Sequence, residues 1–175
     1  MDLKKEILKG LGVDNAKRLA KQICNDPKKA KDAVKLIFDP ETNISMRAAW
    51  VLSHVSAKEP EITQKYLSQF LKYLNGKDPH PGTIRCILNC IEEFDIPEKY
   101  CGEIFDHCMN YTKNATLPHA VRAFSITILG HICRKYPELK HEVELVLSEL
   151  NTFPQPASLT VRIRDCKKIL SQINF

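Results

Sequence analysis

LPHAVRAFSITILGHICRKY, residues 117–136, is the stretch of sequence that decides the fold. Spaced at 100° per residue, its apolar side chains fall almost all the way round a helix rather than on one stripe. They are Val121, Phe124, Ile126, Ile128, Leu129 and Ile132. Such a helix would be ~30 Å long, but Arg122 and the Arg134-Lys135 end make it a poor membrane span. The stretch therefore predicts a central helix that other helices cover on several sides.

Length and cysteine content predict a single cytoplasmic domain over residues 1–175. A chain of 175 residues can bury ~70% of the surface of its unfolded form, so it needs no metal or disulfide. Seven cysteines is an odd count, and the start MDLKKEILKG has no apolar signal core. No segment approaches eighteen consecutive apolar residues. These features favour a cytoplasmic location, reduced thiols and no membrane segment.

Ten prolines punctuate the chain, and each lies between segments in which apolar residues recur about every 3.6 positions. Proline is favoured at the first helical position and moves the preceding residue out of helical geometry. The prolines therefore predict helix starts, and Gly10-Leu11-Gly12 predicts the end of the first helix. No segment shows a sustained two-residue alternation, so we expect no strands.

Alignment of the predicted helix pairs reveals an internal repeat. A proline opens the first helix of each pair, and an arginine lies near the start of the second. The spacing is 25 residues in three pairs and 20 in the other: Pro60 to Arg85, Pro97 to Arg122, Pro137 to Arg162, and Pro27 to Arg47. An N-terminal helix pair, residues 1–26, precedes about four hairpins within residues 27–173.

The start of each second helix resembles the HEAT repeat, a helical hairpin with a Val/Ile-Arg pattern after an aspartate-bearing turn. The matching stretches are Met46-Arg47-Ala48-Ala49, Ile84-Arg85-Cys86-Ile87, Val121-Arg122-Ala123-Phe124 and Val161-Arg162-Ile163. The resemblance implies an all-α fold, a right-handed α-α superhelix of about four hairpins plus the N-terminal pair. It also implies a ladder of aspartates and arginines between hairpins, formed by Asp39, Asp78, Arg47, Arg85 and Arg122. Arg164 fits the last repeat position about as well as Arg162.

The second helices carry the candidate binding residues, because in helical repeats they line a concave surface. The predicted members of this face are Arg47, Trp50, His54, Arg85, Asn89, Glu92 and Arg122. Trp and Arg contribute much of the energy of protein interfaces, and Trp50 is the only tryptophan of the chain. The alternative is that Trp50 belongs to the core. A strip of mixed charge favours a protein partner over a polyanion.

Excess positive charge at the N-terminus makes nucleic-acid binding the second hypothesis. The chain has a net charge of +5, and residues 1–35 hold ten Lys/Arg against five Asp/Glu. Such a surface can contact phosphates, as it does in the HEAT-like alkylpurine DNA glycosylases. Those enzymes also use tryptophans and a catalytic aspartate, whereas no aspartate accompanies Trp50 on its helix. No aromatic residue precedes Phe38, so a base-stacking platform is absent from the basic region.

Catalytic and metal-binding motifs are absent from the sequence. There is no G-x-S-x-G elbow, phosphate loop, dinucleotide fingerprint or H-E-x-x-H. Some short helical-repeat proteins bear the name adenylosuccinate lyase, but this chain is too short and lacks a serine-bearing signature loop. Cys101 and Cys108 would lie ~10.5 Å apart along one helix, whereas thiolates on one zinc lie ~4 Å apart. We therefore predict buried cysteines, no cofactor, and a non-enzymatic interaction module, with an enzyme as the third alternative.

Overall fold

The computed structural model describes residues 2–10 and 12–173, and these residues form helices and no strand. The α-helices are α1 (Leu3–Leu8), α2 (Val13–Asn25), α3 (Ala30–Leu36), α4 (Thr42–Ser56), α5 (Pro60–Gln64), α6 (Leu67–Leu74), α7 (Pro81–Ile91), α8 (Glu98–Lys113), α9 (His119–Lys135), α10 (Lys140–Leu150) and α11 (Ala157–Ser171). Short 3-10 turns, Pro27–Lys29 and Pro137–Leu139, precede α3 and α10. The predicted all-α fold is confirmed. Leu11, in the predicted Gly10-Leu11-Gly12 helix end, lies outside the described residues.

Prolines lie at the helix starts, as the sequence predicts. Pro60 and Pro81 are the first residues of α5 and α7, where the missing N–H of proline has no helical partner to lose. Pro97, Pro118 and Pro156 are the N-cap residues of α8, α9 and α11. Because proline disfavours helical geometry in the residue before it, each of these positions also separates its helix from the preceding loop.

One predicted helix is divided in the structure. The apolar period runs without interruption from Pro60 to Leu74, yet α5 ends at Gln64 and α6 begins at Leu67. The hydroxyl of Thr63 donates to the Pro60 carbonyl at 3.1 Å and lies 2.8 Å from the hydroxyl of Ser56 on α4. Such side-chain bonds to the backbone bend helices, and a tight bond from the Tyr66 N–H to the Thr63 carbonyl completes the turn.

Consecutive helices pair into hairpins, and the contacts of the chain group into two compact units. Unit 1 is Met1–Asp95 and unit 2 is Ile96–Phe175. Unit 1 contains the α1/α2 pair, the α3/α4 hairpin and the hairpin of α5 and α6 with α7. Unit 2 contains the α8/α9 and α10/α11 hairpins. The single domain over residues 1–175 stays a prediction.

The second helices of successive hairpins pack on one another within each unit. In unit 1, α4 lies against both α2 and α7, and in unit 2, α9 lies against α11. Two buried polar contacts join α4 to α7: the hydroxyls of Ser45 and Thr83 lie 3.2 Å apart, and Ser56 donates to the Cys90 carbonyl at 3.2 Å. A buried hydroxyl that has a partner avoids a desolvation penalty, so these contacts fix how α4 and α7 align.

Helix α9, which lies within residues 117–136, is covered on several sides as predicted. It packs against α8 and α11, and its apolar residues are buried except for the half-buried Ala120 and Phe124. At Gly130 α11 comes close to α9, because a Cβ there would lie 3.2 Å from the Cys166 sulfur and 3.3 Å from Ile169 Cδ1. No helix in the described part of the chain has the length and apolarity needed to cross a membrane.

Candidate functional site

Three helices of unit 1 lie side by side and present the predicted binding residues. Helix α4 is in the middle, between α2 and α7. We define the second-helix face as the exposed and half-buried residues Lys17, Arg18 and Lys21 of α2, Arg47, Trp50 and His54 of α4, and Arg85 and Asn89 of α7 with its C-cap Glu92. Six of the seven predicted binding residues are thus exposed or half-buried on or at the end of two neighbouring helices of unit 1, and α2 adds three basic residues.

Trp50 is half-buried on α4 and is not a core residue. Its ring lies against the imidazole of His54, one turn further along the helix, with centroids 5.7 Å apart and planes tilted by 44°. Beside Trp50 and Arg47 is a dimple whose floor includes Leu19 and Val51. Its volume of about 10 Å³ is close to that of one water-sized probe. The face thus has an aromatic pair next to a small apolar depression.

His54 is uncharged at neutral pH in this setting. Burial, and then the positive charges of Lys17 and Lys58, lower the pKa of His54 below its ordinary value of 6.5. Its Nε2 atom is buried and has no hydrogen-bond partner among the described residues. Burying an imidazole without a hydrogen-bond partner costs less free energy when the ring is neutral than when it is protonated. His54 therefore contacts Trp50 as a neutral aromatic ring rather than as a cation.

Two arginines of the face have no carboxylate partner within the described residues. Arg47 forms no hydrogen bond or ion pair there, and exposed Arg85 makes only a weak contact, 3.7 Å from its Nη2 to the Cys86 sulfur. Arg18 differs, because its Nη2 atom binds Glu6 at 3.0 Å and Asn15 at 2.7 Å. Since each guanidinium has five N–H donors, Arg47 and Arg85 retain donors for a ligand.

The ladder implied by the HEAT resemblance does not form between the described residues. Asp39 accepts from Lys4 at 2.9 Å and from the Glu41 N–H at 3.0 Å, and these bonds lower the pKa of Asp39. The N-terminal helix α1 therefore provides the cation that was expected from Arg47. Asp78 is exposed and has no bond to Arg85 in the described part of the structure.

Arg122 is buried, so its predicted place on the binding face is wrong. It is 5% exposed, and its Nε donates to the Thr112 carbonyl at 3.1 Å. Thr112 lies in the last turn of α8, where carbonyls lack helical partners and the helix dipole favours a cation. Arg122 thus fastens the end of α8 to α9 within one hairpin, and burial lowers the pKa of its guanidinium.

The open stripe of α9 in unit 2 contains Ala120, Phe124, Thr127 and His131. The α9 and α11 residues around Phe124 and Val161 line a mainly apolar groove of about 510 Å³. Arg162 reaches across it, with its guanidinium 5.8 Å from the Phe124 ring centre and its Nη1 atom 3.1 Å from the Thr127 hydroxyl. Arg162 therefore contacts the preceding second helix, whereas Arg164 is exposed and binds Asp165. The groove was not predicted, because the apolar residues of α9 lie on all sides of the helix and mark no exposed face in the sequence.

A second depression in unit 1 was also missed. It is a cleft of about 330 Å³ between the α3–α4 turn and the α6–α7 turn. Phe38, 43% exposed, meets Tyr73 edge to face with ring centres 5.9 Å apart, and the ammonium of Lys72 lies 5.8 Å from the Phe38 ring. Lys72 and Tyr73 sit near the end of α6, but nothing in their local sequence links them to Phe38, which is distant along the chain.

The cysteines are structural side chains, as the sequence predicted. Six are buried, Cys24 is half-buried, and all seven are free thiols. Burial raises the pKa of Cys108 and of Cys166 to about 12, so both remain protonated and unreactive at neutral pH. Within the described residues, no group of three or more His, Cys, Asp and Glu side chains is placed to hold a metal ion.

Comparison with known proteins adds one finding. A family model described as a HEAT repeat domain matches residues 3–173, a range that includes every described helix. No curated protein and no solved structure matches the chain. The family match agrees with the resemblance that the second-helix motifs indicate.

Proposed function

This chain belongs to the HEAT repeat family, and we propose that it is a non-enzymatic scaffold that binds a protein partner on the second-helix face of unit 1. HEAT repeats generally mediate protein interactions, so the family supports this class of function. The observation that carries the proposal is the position of Trp50. The only tryptophan of the chain is half-buried on the middle helix of the face, held against His54.

A tryptophan in this position has the properties of an interface hot spot. Its large ring already packs against His54, so little side-chain freedom is left to lose when a partner binds. Arginines and tryptophans dominate the residues whose truncation costs 2 kcal/mol or more at interfaces, and Arg47 is one turn away on the same helix. A partner that covers Trp50 would also exclude water from the neighbouring guanidinium and strengthen its hydrogen bonds.

Nucleic-acid binding remains the second candidate, because Lys17 and Lys21 on α2 are exposed and have no ion-pair partner among the described residues. The two candidates respond differently to salt. Binding through phosphate contacts weakens steeply and linearly with the logarithm of salt concentration, whereas a contact centred on Trp50 weakens much less. Titration of the chain with a DNA duplex at two salt concentrations separates them.

The proposed binding site is tested in two steps. Proteins cross-linked to the wild-type chain in cells are identified, and the best candidate is purified and titrated by calorimetry. We expect Trp50→Ala to weaken its binding roughly 30-fold, the equivalent of about 2 kcal/mol. Phe38→Ala is the matched control, because Phe38 is an exposed aromatic of the same unit outside the face. Equal affinity of Trp50→Ala and wild type, with circular dichroism showing both folded, would refute this placement of the site.

We also propose a cytoplasmic location. The support is chemical: seven free cysteines in one chain are typical of a reducing compartment, because oxidising compartments favour disulfides. Fractionation of the native cells, followed by an antibody against the chain, tests this location directly.

A further inference from the structure

We propose that the partner presents an acidic segment in the extended polyproline II conformation to the second-helix face, with two carboxylates three residues apart that bind Arg47 and Arg85. An apolar side chain next to the carboxylate at Arg47, on the side away from Arg85, lies against Trp50. This inference rests on the proposed function and adds to it the chemistry of the partner. The observations behind it are the unpaired cations of the face, the spacing of its helices and the position of its aromatic pair.

Charge complementarity selects an acidic segment. Four cations of the face, one pair on α2 and one arginine each on α4 and α7, have no carboxylate partner among the described residues: Lys17, Lys21, Arg47 and Arg85. Arg18, on the same face, is already neutralised by Glu6, and Lys4 outside it is neutralised by Asp39. A carboxylate from a partner would neutralise each arginine and accept two of its N–H groups, because the planar guanidinium matches a carboxylate in a bidentate geometry.

Helix spacing determines the separation of the two carboxylates. Arg47 and Arg85 project from α4 and α7, which pack directly on each other. Packed helices have axes about 8–10 Å apart, and a polyproline II chain advances about 3.1 Å per residue with about three residues per turn. Three residues of such a chain therefore span about 9 Å, the separation of the two helices, and they return the side chain to the same face of the segment. An acidic residue at one position and another three residues later would reach both arginines as the segment crosses the helices.

Trp50 gives the segment its apolar contact. It lies one turn from Arg47 on α4, and the neutral imidazole of His54 on its other side adds no charge to repel or attract. The adjoining dimple has an apolar floor and holds only about 10 Å³, so it suits the tip of a side chain rather than a whole ring. The dimple is lined by residues of α1, α2 and α4 and by none of α7, so a leucine or methionine next to the carboxylate at Arg47, on the side away from Arg85, fits this arrangement.

The face favours a short acidic segment over a nucleic acid. Glu92 is half-buried near the end of α7 and Glu93 next to it is exposed, so a phosphate chain that continued along α7 from Arg85 would meet carboxylates. Like charges in such a contact are repulsive. A segment with only two carboxylates crosses α4 and α7 at the arginines and avoids that end of the helix.

The test is a selection from a random dodecapeptide phage library against the full chain. We expect enriched peptides to contain two acidic residues three positions apart, with an apolar residue beside the pair rather than between its members. An enriched peptide, synthesised with a fluorescent label, should bind the wild type and lose at least 30-fold in affinity to Arg47→Glu/Arg85→Glu. The matched control is Lys28→Glu/Lys31→Glu, which changes the net charge equally at exposed positions before and within α3 and should bind within threefold of wild type.

Each other outcome overturns the inference. Enrichment of peptides without acidic pairs refutes the acidic segment and leaves the proposed function standing. Absence of any enriched peptide also refutes the acidic segment. The proposed function is tested independently by the titration of Trp50→Ala with the purified partner. Equal losses in the two charge-reversal variants would mean that net charge alone attracts the peptide. Tighter binding of a labelled DNA duplex than of any peptide, lost in Arg47→Glu/Arg85→Glu, would assign the face to nucleic acid. If that variant is unfolded by circular dichroism, Arg47→Gln/Arg85→Gln replaces it, with a loss of at least tenfold expected.

Discussion

Two glycines of unit 2 offer a direct measurement of how tightly α9 and α11 pack. Gly102 is exposed within α8, and a Cβ there would have no neighbour within 4 Å. Gly130 is buried within α9, and a Cβ there would meet the Cys166 sulfur at 3.2 Å and Ile169 Cδ1 at 3.3 Å. Both glycines lie in helix interiors, so the higher helix propensity of alanine should stabilise each variant by a similar amount, about 1 kcal/mol. The difference between the two variants therefore isolates the packing contact.

Gly102→Ala should raise the free energy of unfolding by about 0.5–1 kcal/mol, because only propensity changes. Gly130→Ala gains the same amount but adds a methyl group to a filled space, which typically costs about 1–3 kcal/mol. We therefore expect Gly130→Ala to be about 0–2 kcal/mol less stable than wild type, and about 1–3 kcal/mol less stable than Gly102→Ala. Urea unfolding followed by circular dichroism measures both.

Cys166→Ala supplies the internal control, since it removes the sulfur that the new methyl group would meet. In a double-mutant cycle, Gly130→Ala should cost less in the Cys166→Ala background, with a coupling of at least about 0.5 kcal/mol. Equal stabilisation by Gly130→Ala and Gly102→Ala, with no coupling to Cys166, would show that α9 and α11 are not in close contact at Gly130.

Three further predictions follow from burial and charge. Arg122→Met should lower the free energy of unfolding by about 1–3 kcal/mol, because the Thr112 carbonyl loses its partner, whereas exposed Arg85→Met should change it by less than about 0.5 kcal/mol. Folding lowers the pKa of His54, so below pH 6.5 the native state binds fewer protons than the unfolded state. The free energy of unfolding should therefore fall as the pH drops from 6.5 towards the pKa of His54 in the folded protein. In His54→Gln the urea midpoint should depend less on pH across this range. A thiol reagent should modify Cys24 first in the native protein and the six buried cysteines only on unfolding, as peptide mapping would show.

Each of these predictions has a result that would contradict it. Similar costs at Arg122 and Arg85 would mean that the Thr112 contact contributes little. If the urea midpoint of His54→Gln depends on pH as in the wild type, the burial of His54 does not cause that dependence. Burial also lowers the pKa of His107, which would then be the next residue to substitute. Rapid native modification of Cys108 or Cys133 would show that the core of unit 2 opens more readily than its burial implies.

Helix content and helix starts were predictable from the sequence because both are local properties. An apolar residue every 3.6 positions predicts a helix with a buried side, and a proline fixes the backbone of its own residue and of the one before it. The break after α5 was missed, since it depends on a hydroxyl contact between Thr63 and Ser56 on another helix. The stripe of Arg47, Trp50 and His54 was also predictable, because one helix carries all three residues at fixed angles.

The direction in which each repeat arginine points was decided by the tertiary structure. The arginines look equivalent in sequence, yet Arg47, Arg85 and Arg122 lie six, five and four residues after the N-caps of their helices, Glu41, His80 and Pro118. Each residue of difference turns a side chain by about 100° around its helix. On α9, apolar residues on all sides leave the sequence without a marked outer face, so packing against α8 and α11 determines that Arg122 is buried and Phe124 half-exposed. The sequence alone therefore determined that the chain is a helical repeat, while the packing of neighbouring helices determined which of its arginines can reach a partner, because burial depends on contacts that no single helix contains.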